Sequence, residues 1–354
     1  MKLKKQLMAL ACIGALGLTA CGSNSSNSAN SNAGNGKAIK VAVLTPGTAN
    51  DGSWGEAIST GAKKAGDMYG ANLTVAANLN DTGQYQQQGN AFAAQGYDLV
   101  INANASMVSV TTDLAKKYPN VHFAQIGSVD SAAKNVRAVT PKFWQGTFAA
   151  GYLAGLLSKT GTVGAIGGFE FPLLTSEMEG FALGARYARP SIKFERQYIN
   201  TWTDAGTAGS ASAAMKAKGA DIIFSATDQA TQGIFKTMQG SPNQYVISQY
   251  SDKHDQAPDV VLTSVLYGLD DITSSFIQDS AKGNWVSENK YVTFADGIKL
   301  APFYGLDSAV PADVKAKLTK VEQDITSGAI QLPDLGVLGV TGAAEKVDLS
   351  SLKK

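Results

Sequence analysis

In this chain of 354 residues, the side chains best suited to hold a small molecule recur in one kind of place, directly after a short β-branched run. Asp51 and Trp54 follow Ile39–Leu44 in the stretch Pro46-Gly47-Thr48-Ala49-Asn50-Asp51-Gly52-Ser53-Trp54-Gly55. Asn102, Asn104 and Ser106 follow Leu99–Ile101, and Phe169, Glu170, Phe171 and Pro172 follow Thr162–Ile166. Thr227, Asp228 and Gln229 follow Ile222–Phe224, Trp202 and Asp204 follow Lys193–Tyr198, and Asp252 follows Tyr245–Ser248. Loops after parallel strands line the crevice of α/β sheets. Singly, each of these residues reads as a cap or a turn; an aspartate before a helix is an ordinary N-cap. Their repetition is the signal. Aromatic faces stack on planar rings, and carboxylates accept from ring N–H groups, amines or ribose hydroxyls. With little Lys or Arg in these loops, a phosphate has no partner. A neutral heterocycle or its glycoside fits better than a nucleotide.

The residues needed for catalysis are missing. His122 and His254 stand far apart, with no Cys or second His at ligand spacing, so no metal site is expected. No Gly-x-Ser-x-Gly elbow occurs, which leaves acyl transfer without a nucleophile. The run Gly161-Thr162-Val163-Gly164-Ala165-Ile166-Gly167-Gly168 has the wrong spacing for a dinucleotide fingerprint, and its first Gly precedes the strand. No cofactor is expected. The preferred reading is glycines that let the chain leave the strand close past a ligand.

The elements that would position these loops alternate in the manner of βαβ units, which predicts mainly parallel sheets. Strands are expected at Ile39–Leu44, Asn72–Ala76, Leu99–Ala103 and Val121–Ile126, with helices at Trp54–Met68, Tyr85–Gln95 and Val108–Lys117 between them. The pattern restarts after Asn135–Val139. It runs through helices at Trp144–Leu157, Glu177–Ala188, Ala208–Lys218 and Gln232–Met238, and strands at Thr162–Ile166, Lys193–Tyr198, Asp221–Phe224, Tyr245–Ser248 and Val260–Ser264. Gly268–Ala281 reads as a helix, Tyr291–Ala301 as a hairpin turning at Asp296-Gly297, and Pro311–Ser327 as a final helix. The expected architecture is α/β, with two Rossmann-like lobes and a ligand cleft between them. Residues 38–140 with about 265–305 form one lobe, 141–264 the second, and 306–354 a C-terminal crossover and helix. Lobe closure would be the functional motion.

The N-terminus bears on location. Lys2–Lys5, the apolar run Leu7–Leu16 and Leu18-Thr19-Ala20-Cys21 form a signal peptide over residues 1–20, too short to span a bilayer. The ending resembles a bacterial lipobox and marks Cys21 for lipidation. The other cysteine, Cys12, lies in the segment to be cleaved, so the mature chain has no internal disulfide. Residues 21–37, poor in anything apolar, read as a flexible Ser/Asn tether. Removing residues 1–20 takes three of the 30 basic residues against 29 acidic ones, a balance of about −2, which argues against a nucleic-acid binder.

At these residues the chain resembles the basic membrane protein family of substrate-binding lipoproteins. The resemblance is carried by Asn50-Asp51-Gly52-Ser53-Trp54, Tyr118–Ala124, Gly151-Tyr152-Leu153-Ala154-Gly155, Lys159–Gly164, Gly180–Ala185, Gly219–Ile223 and Leu262–Val265. It implies the periplasmic-binding-protein type I fold, no catalytic activity, and service to an ABC importer. The nucleoside-binding branch usually reads Asp-Asp-Lys-Ser-Phe-Asn in the first loop; here Asp51 and Trp54 occupy the second Asp and the Phe, and Gly55 replaces the Asn. Gly127 and Tyr267 stand where that branch tends to have an Asp and a Lys, so a ligand must be held differently. Asp-Gly-Ser-Trp, Thr-Trp-Thr-Asp and Ala-Thr-Asp look closer to a second branch, some of whose members bind free purine bases.

The function expected is therefore capture of a purine nucleoside or nucleobase by a monomeric lipoprotein on the extracytoplasmic face of the cell membrane, next to a membrane permease. Trp54, Phe171 and Trp202 supply faces. Asp51, Asn102, Asn104, Asp228 and Tyr267 supply polar contacts, and Asp252 caps a ribose. The alternatives are a receptor for another planar metabolite, such as a flavin, and a surface signalling or adhesion lipoprotein that keeps the fold.

Overall fold

A computed structural model describes residues 38–128 and 133–353. The expected signal peptide, the tether and Cys21 lie outside the described residues.

β-branched runs bounded by Gly, Asn or Asp become buried strands, and the amphipathic stretches between them become covering helices. The first half of the chain runs β1 (Lys40–Leu44), α1 (Trp54–Tyr69), β2 (Asn72–Ala76), α2 (Thr82–Ala94), β3 (Leu99–Asn102), α3 (Val108–Lys117), β4 (His122–Ile126) and β5 (Val136–Pro141). The second half repeats the plan with α4 (Phe143–Leu157), β6 (Thr162–Gly167), α5 (Pro172–Ala188), β7 (Lys193–Tyr198), α6 (Ala205–Ala217), β8 (Ile222–Ala226), α7 (Thr231–Met238), β9 (Tyr245–Gln249) and β10 (Val261–Leu266). Then follow α8 (Leu269–Lys282), β11 (Asn289–Val292), β12 (Lys299–Leu300), α9 (Ala312–Ser327) and α10 (Leu335–Leu338).

The strands form two six-stranded sheets, ordered β11-β5-β4-β3-β1-β2 and β12-β10-β9-β8-β6-β7. All pairings are parallel except β10 with β12. The architecture is thus α/β, two parallel-dominant sheets each flanked by helices, as expected. The chain passes between the sheets three times, after β5, after β10 and after β11. One buried cluster contains Val41 and Ile101 under the first sheet, Phe148 and Phe181 under the second, and Leu269 at a crossing.

Two expectations are corrected here. Val136–Pro141, read as a restart point, is a strand. The stretch Tyr291–Ala301 is not a hairpin: Tyr291 pairs with Thr140 in the first sheet and Leu300 with Val265 in the second. Both β5 and β10 would otherwise be open edges, and one connection covers both. The segment after residue 306 packs on the second sheet's helices, α9 against α4 and α10 against α5.

Helices α4 and α5 lie in close contact because Gly151 and Gly184 face backbone. A Cβ at Gly151 would overlap the Phe181 carbonyl, and one at Gly184 the Phe148 carbonyl. That close packing fixes α5, whose first turns reach the space between the sheets.

Candidate functional site

At the C-terminal ends of the parallel strands lies a cavity of about 660 Å³. It is lined from the first lobe by the β1–α1 loop (Thr48, Asp51, Trp54), the β2–α2 loop (Asn78 to Asn80) and the β3–α3 loop (Asn104 to Met107). The second lobe contributes Phe169, Phe171 and Glu177 from the β6–α5 loop and α5, Trp202 after β7, Asp228 after β8 and Tyr250 after β9. No Lys or Arg is among the lining residues.

The first-lobe wall is built around Asp51. Its Oδ1 accepts from the Ser53 and Glu56 N–H groups at 2.8 and 3.0 Å, and its Oδ2 from that of Gly55 at 2.9 Å. Asp51, two residues before the N-cap Ser53, therefore ties down the first N–H groups of α1, and it reaches the cavity with most of its acceptor capacity spent. Gly55 has no room for a side chain, since a Cβ would overlap the Thr48 carbonyl. Trp54 is 9% exposed, donates from Nε1 to the Ala103 carbonyl at 2.9 Å, and meets the Tyr250 ring edge-on at 5.3 Å. It is a fixed wall.

Opposite, Phe171 is the residue before Pro172, which starts α5 in the position where a missing N–H is harmless. Trp202 lies against Phe169 at 5.1 Å and Phe171 at 6.4 Å between ring centres. A Cβ at Gly168 would fall inside the Trp202 ring, so this glycine is what lets the indole lie over the strand end.

Glu177 was not among the expected residues. It is fully buried and accepts from Gln249 Nε2 at 2.7 Å and from the Tyr250 hydroxyl at 3.0 and 3.1 Å. Tyr267 in turn donates to Gln249 Oε1 at 3.0 Å. Burial pushes the Glu177 carboxyl up to about 8, against the opposing effect of the Gln249 and Tyr250 hydrogen bonds. The signal was present in the sequence: Pro172 after an aromatic marks a helix start, which places Glu177 in the second turn and not at the end. Tyr250, held at φ 71°, was missed as well.

Asp228 also has a left-handed backbone, φ 46°. Burial and then the Asp51 charge push its carboxyl up to about 6, while the Ser53 hydroxyl, Lys253 and the Trp54 N–H oppose the rise. Its Oδ1 is buried with no hydrogen-bond partner.

Of the remaining expected residues, Asn104 lines the cavity but caps a turn at Ser106 and donates to the Tyr85 hydroxyl. Asn102, Asp252 and Tyr267 do not line it. Asn102 is buried between the Met107 carbonyl and Thr111. Asp252 is on the surface, held by Tyr304 at 2.5 Å and by the His254 N–H. Tyr267 is fully buried, 4.6 Å from the ring of Phe143. Its reach into the site runs through Gln249.

The lobes meet beside the cavity. Ser251 donates to the Gly52 carbonyl at 2.7 Å, and the buried Lys253 donates to Ser53 at 3.1 Å. Burial lowers the Lys253 amine, against the raising effect of Asp228, Asp51 and Glu56. Among the described residues no group of His, Cys, Asp and Glu is placed to hold a metal ion, and no helix is long and apolar enough to cross a membrane.

Comparison with known proteins gives the cavity its context. A purine-binding protein of Brucella abortus is 27% identical over 299 residues, 82% of each chain. An ABC transporter nucleoside-binding protein, BmpA of Lactococcus lactis, is 25% identical over 357 residues, 94% of this chain and 99% of its own. In fold, a solute-binding protein of an Aeropyrum pernix ABC transporter system matches with a TM-score of 0.78 at 17% identity, covering 84% of this chain and 93% of its own. The family of PnrA-like ABC transporter substrate-binding proteins matches residues 38–335, and this chain belongs to it.

Proposed function

We propose that this substrate-binding protein captures a purine nucleoside or nucleobase between Trp54 on one lobe and Phe171 and Trp202 on the other, and delivers it to a membrane permease. The observation that carries the reading is an aromatic-walled cavity of about 660 Å³ that holds Asp51, Glu177 and Asp228 and no lysine or arginine. Aromatic faces suit a planar ring, carboxylates suit its N–H and hydroxyl groups, and the lack of cations disfavours phosphorylated forms. The purine- and nucleoside-binding relatives support the same ligand class. Lipidation at Cys21 would keep the protein near its permease, and intact-mass analysis of the membrane fraction tests it: an unmodified Cys21 removes the anchor.

Calorimetric titration with purine bases, nucleosides and their monophosphates tests the ligand. The unphosphorylated compounds should bind and the monophosphates should not. Trp54→Ala should weaken binding about tenfold or more, since ring stacking contributes on the order of 1 to 3 kcal/mol. Unchanged affinity in that variant would make Trp54 a structural wall only, and failure of every purine to bind would end the purine reading.

A further inference from the structure

The purine reading leaves open which purine, and the polar groups of the cavity bear on that. Asp51 is spent on three backbone N–H groups. Asp228 is less so: its Oδ1 is buried without a hydrogen-bond partner and belongs to a residue lining the cavity. Asp51 opposes its charge, while Ser53, the Trp54 N–H and the buried Lys253 behind the lining favour it. Glu177 is fully buried in the same lining, and its partners, Gln249 and Tyr250, are neutral. The titratable groups facing Glu177 are Asp228, Tyr250 and Tyr267, and Asp228 disfavours its charge. Two acceptor groups that repel one another thus look into one aromatic-walled space without a cation in its lining. A buried carboxylate short of donors is costly, and a ligand that brings donors removes the cost.

On the proposed reading of the site as a purine pocket, we infer that Glu177 and Asp228 select purines carrying an exocyclic amine over those with an oxygen at the same position. The amine offers two hydrogens from one atom. A carbonyl in its place would set a lone pair against the ionised Asp228 and could be met only by Glu177 in its protonated form, so the preference for the amine should widen as pH rises toward and through 8. A site built around a ligand N–H rejects the analogue that lacks it far more strongly than a pocket matched only by shape.

The inference also carries a proton. Donors from the ligand favour ionised Glu177, whose carboxyl is otherwise held near 8, so binding should release a proton near neutral pH and affinity should rise from pH 6 to pH 9.

The test compares adenine with hypoxanthine, and adenosine with inosine, by calorimetry on the wild-type protein across that pH range and in buffers of different ionisation enthalpy. The amino compounds should bind at least about tenfold more tightly, a difference near 1.4 kcal/mol, with a proton released. Glu177→Gln should flatten the pH dependence, and Asp228→Asn should narrow the gap between amino and oxo ligands. Equal or tighter binding of the oxo compounds overturns the inference and leaves the purine reading standing. Binding by none of the four, with guanine and guanosine also failing, overturns both. Because the primary comparison uses the unaltered protein, a misfolded variant cannot decide it.

Discussion

Helix α5 carries two buried glutamates two positions apart, and their surroundings are opposites. Glu179 faces the C-terminal segment: it accepts from the Gly342 and Ala344 N–H groups at 3.0 and 2.8 Å and pairs with Arg196 at 3.0 Å. Burial raises its carboxyl, but both N–H groups and the guanidinium oppose that rise. Glu177 faces the cavity and has only neutral donors. A buried carboxylate that serves the fold is supplied with charge and backbone donors. One that faces an open cavity is left with neutral donors alone.

The comparison breaks most visibly at Glu179. Glu179→Ala would leave Arg196 short of its buried partner and two backbone N–H groups unsatisfied, a loss on the order of 3 to 5 kcal/mol. Urea unfolding should show that loss, while ligand affinity of the folded fraction stays close to wild type. A variant as stable as the parent would mean that the C-terminal segment contributes little to α5.

Glu177 gives the next effect, and its sign is opposite. Its carboxyl is held near 8 in the folded protein and lies near 4.5 when unfolded. Between those values the native state binds the extra proton, so stability is fully present below about pH 4.5 and falls as pH rises toward and through 8. Glu177→Gln removes this loss. The variant should melt above wild type at pH 9 by the equivalent of a few kcal/mol, at about 1.4 kcal/mol per unit of pKa displacement, with the difference shrinking toward pH 5. Parallel melting profiles from pH 5 to 9 would show that Glu177 is charged in the empty protein.

What the sequence revealed and what it hid divide along the same line. The strands of both sheets are local patterns, and Lys193–Tyr198 was legible to the residue. β5 was not, because Arg137 is its second residue and a charge there looks like a loop. Its ion pairs with Asp279 at 2.6 Å and Glu288 at 3.0 Å come from chain more than 140 positions away. The loops of the site were legible from their place after strands, which is a property of the fold. Glu177 was not, since its meaning depends on Gln249 and Tyr250, more than 70 positions on. Asp252 misled for the same reason: its loop position matched, but Tyr304 holds it at the surface.

The smallest effect tests where the two faces of α5 touch. Glu170, between the cavity residues Phe169 and Phe171, accepts from Thr341 Oγ1 at 2.6 Å, a direct link from the C-terminal segment to the aromatic wall. The pair is exposed, so Thr341→Val should cost no more than about 0.5 to 1 kcal/mol of stability. The freed loop has more ways to place its two rings, and ordering them on binding costs entropy. Affinity should therefore fall by roughly two- to threefold, near 0.5 kcal/mol, through faster dissociation seen in stopped-flow. A loss beyond tenfold would place the C-terminal segment within the binding machinery and erase the contrast between Glu179 and Glu177. No change in dissociation would confine that segment to holding the outer face of α5.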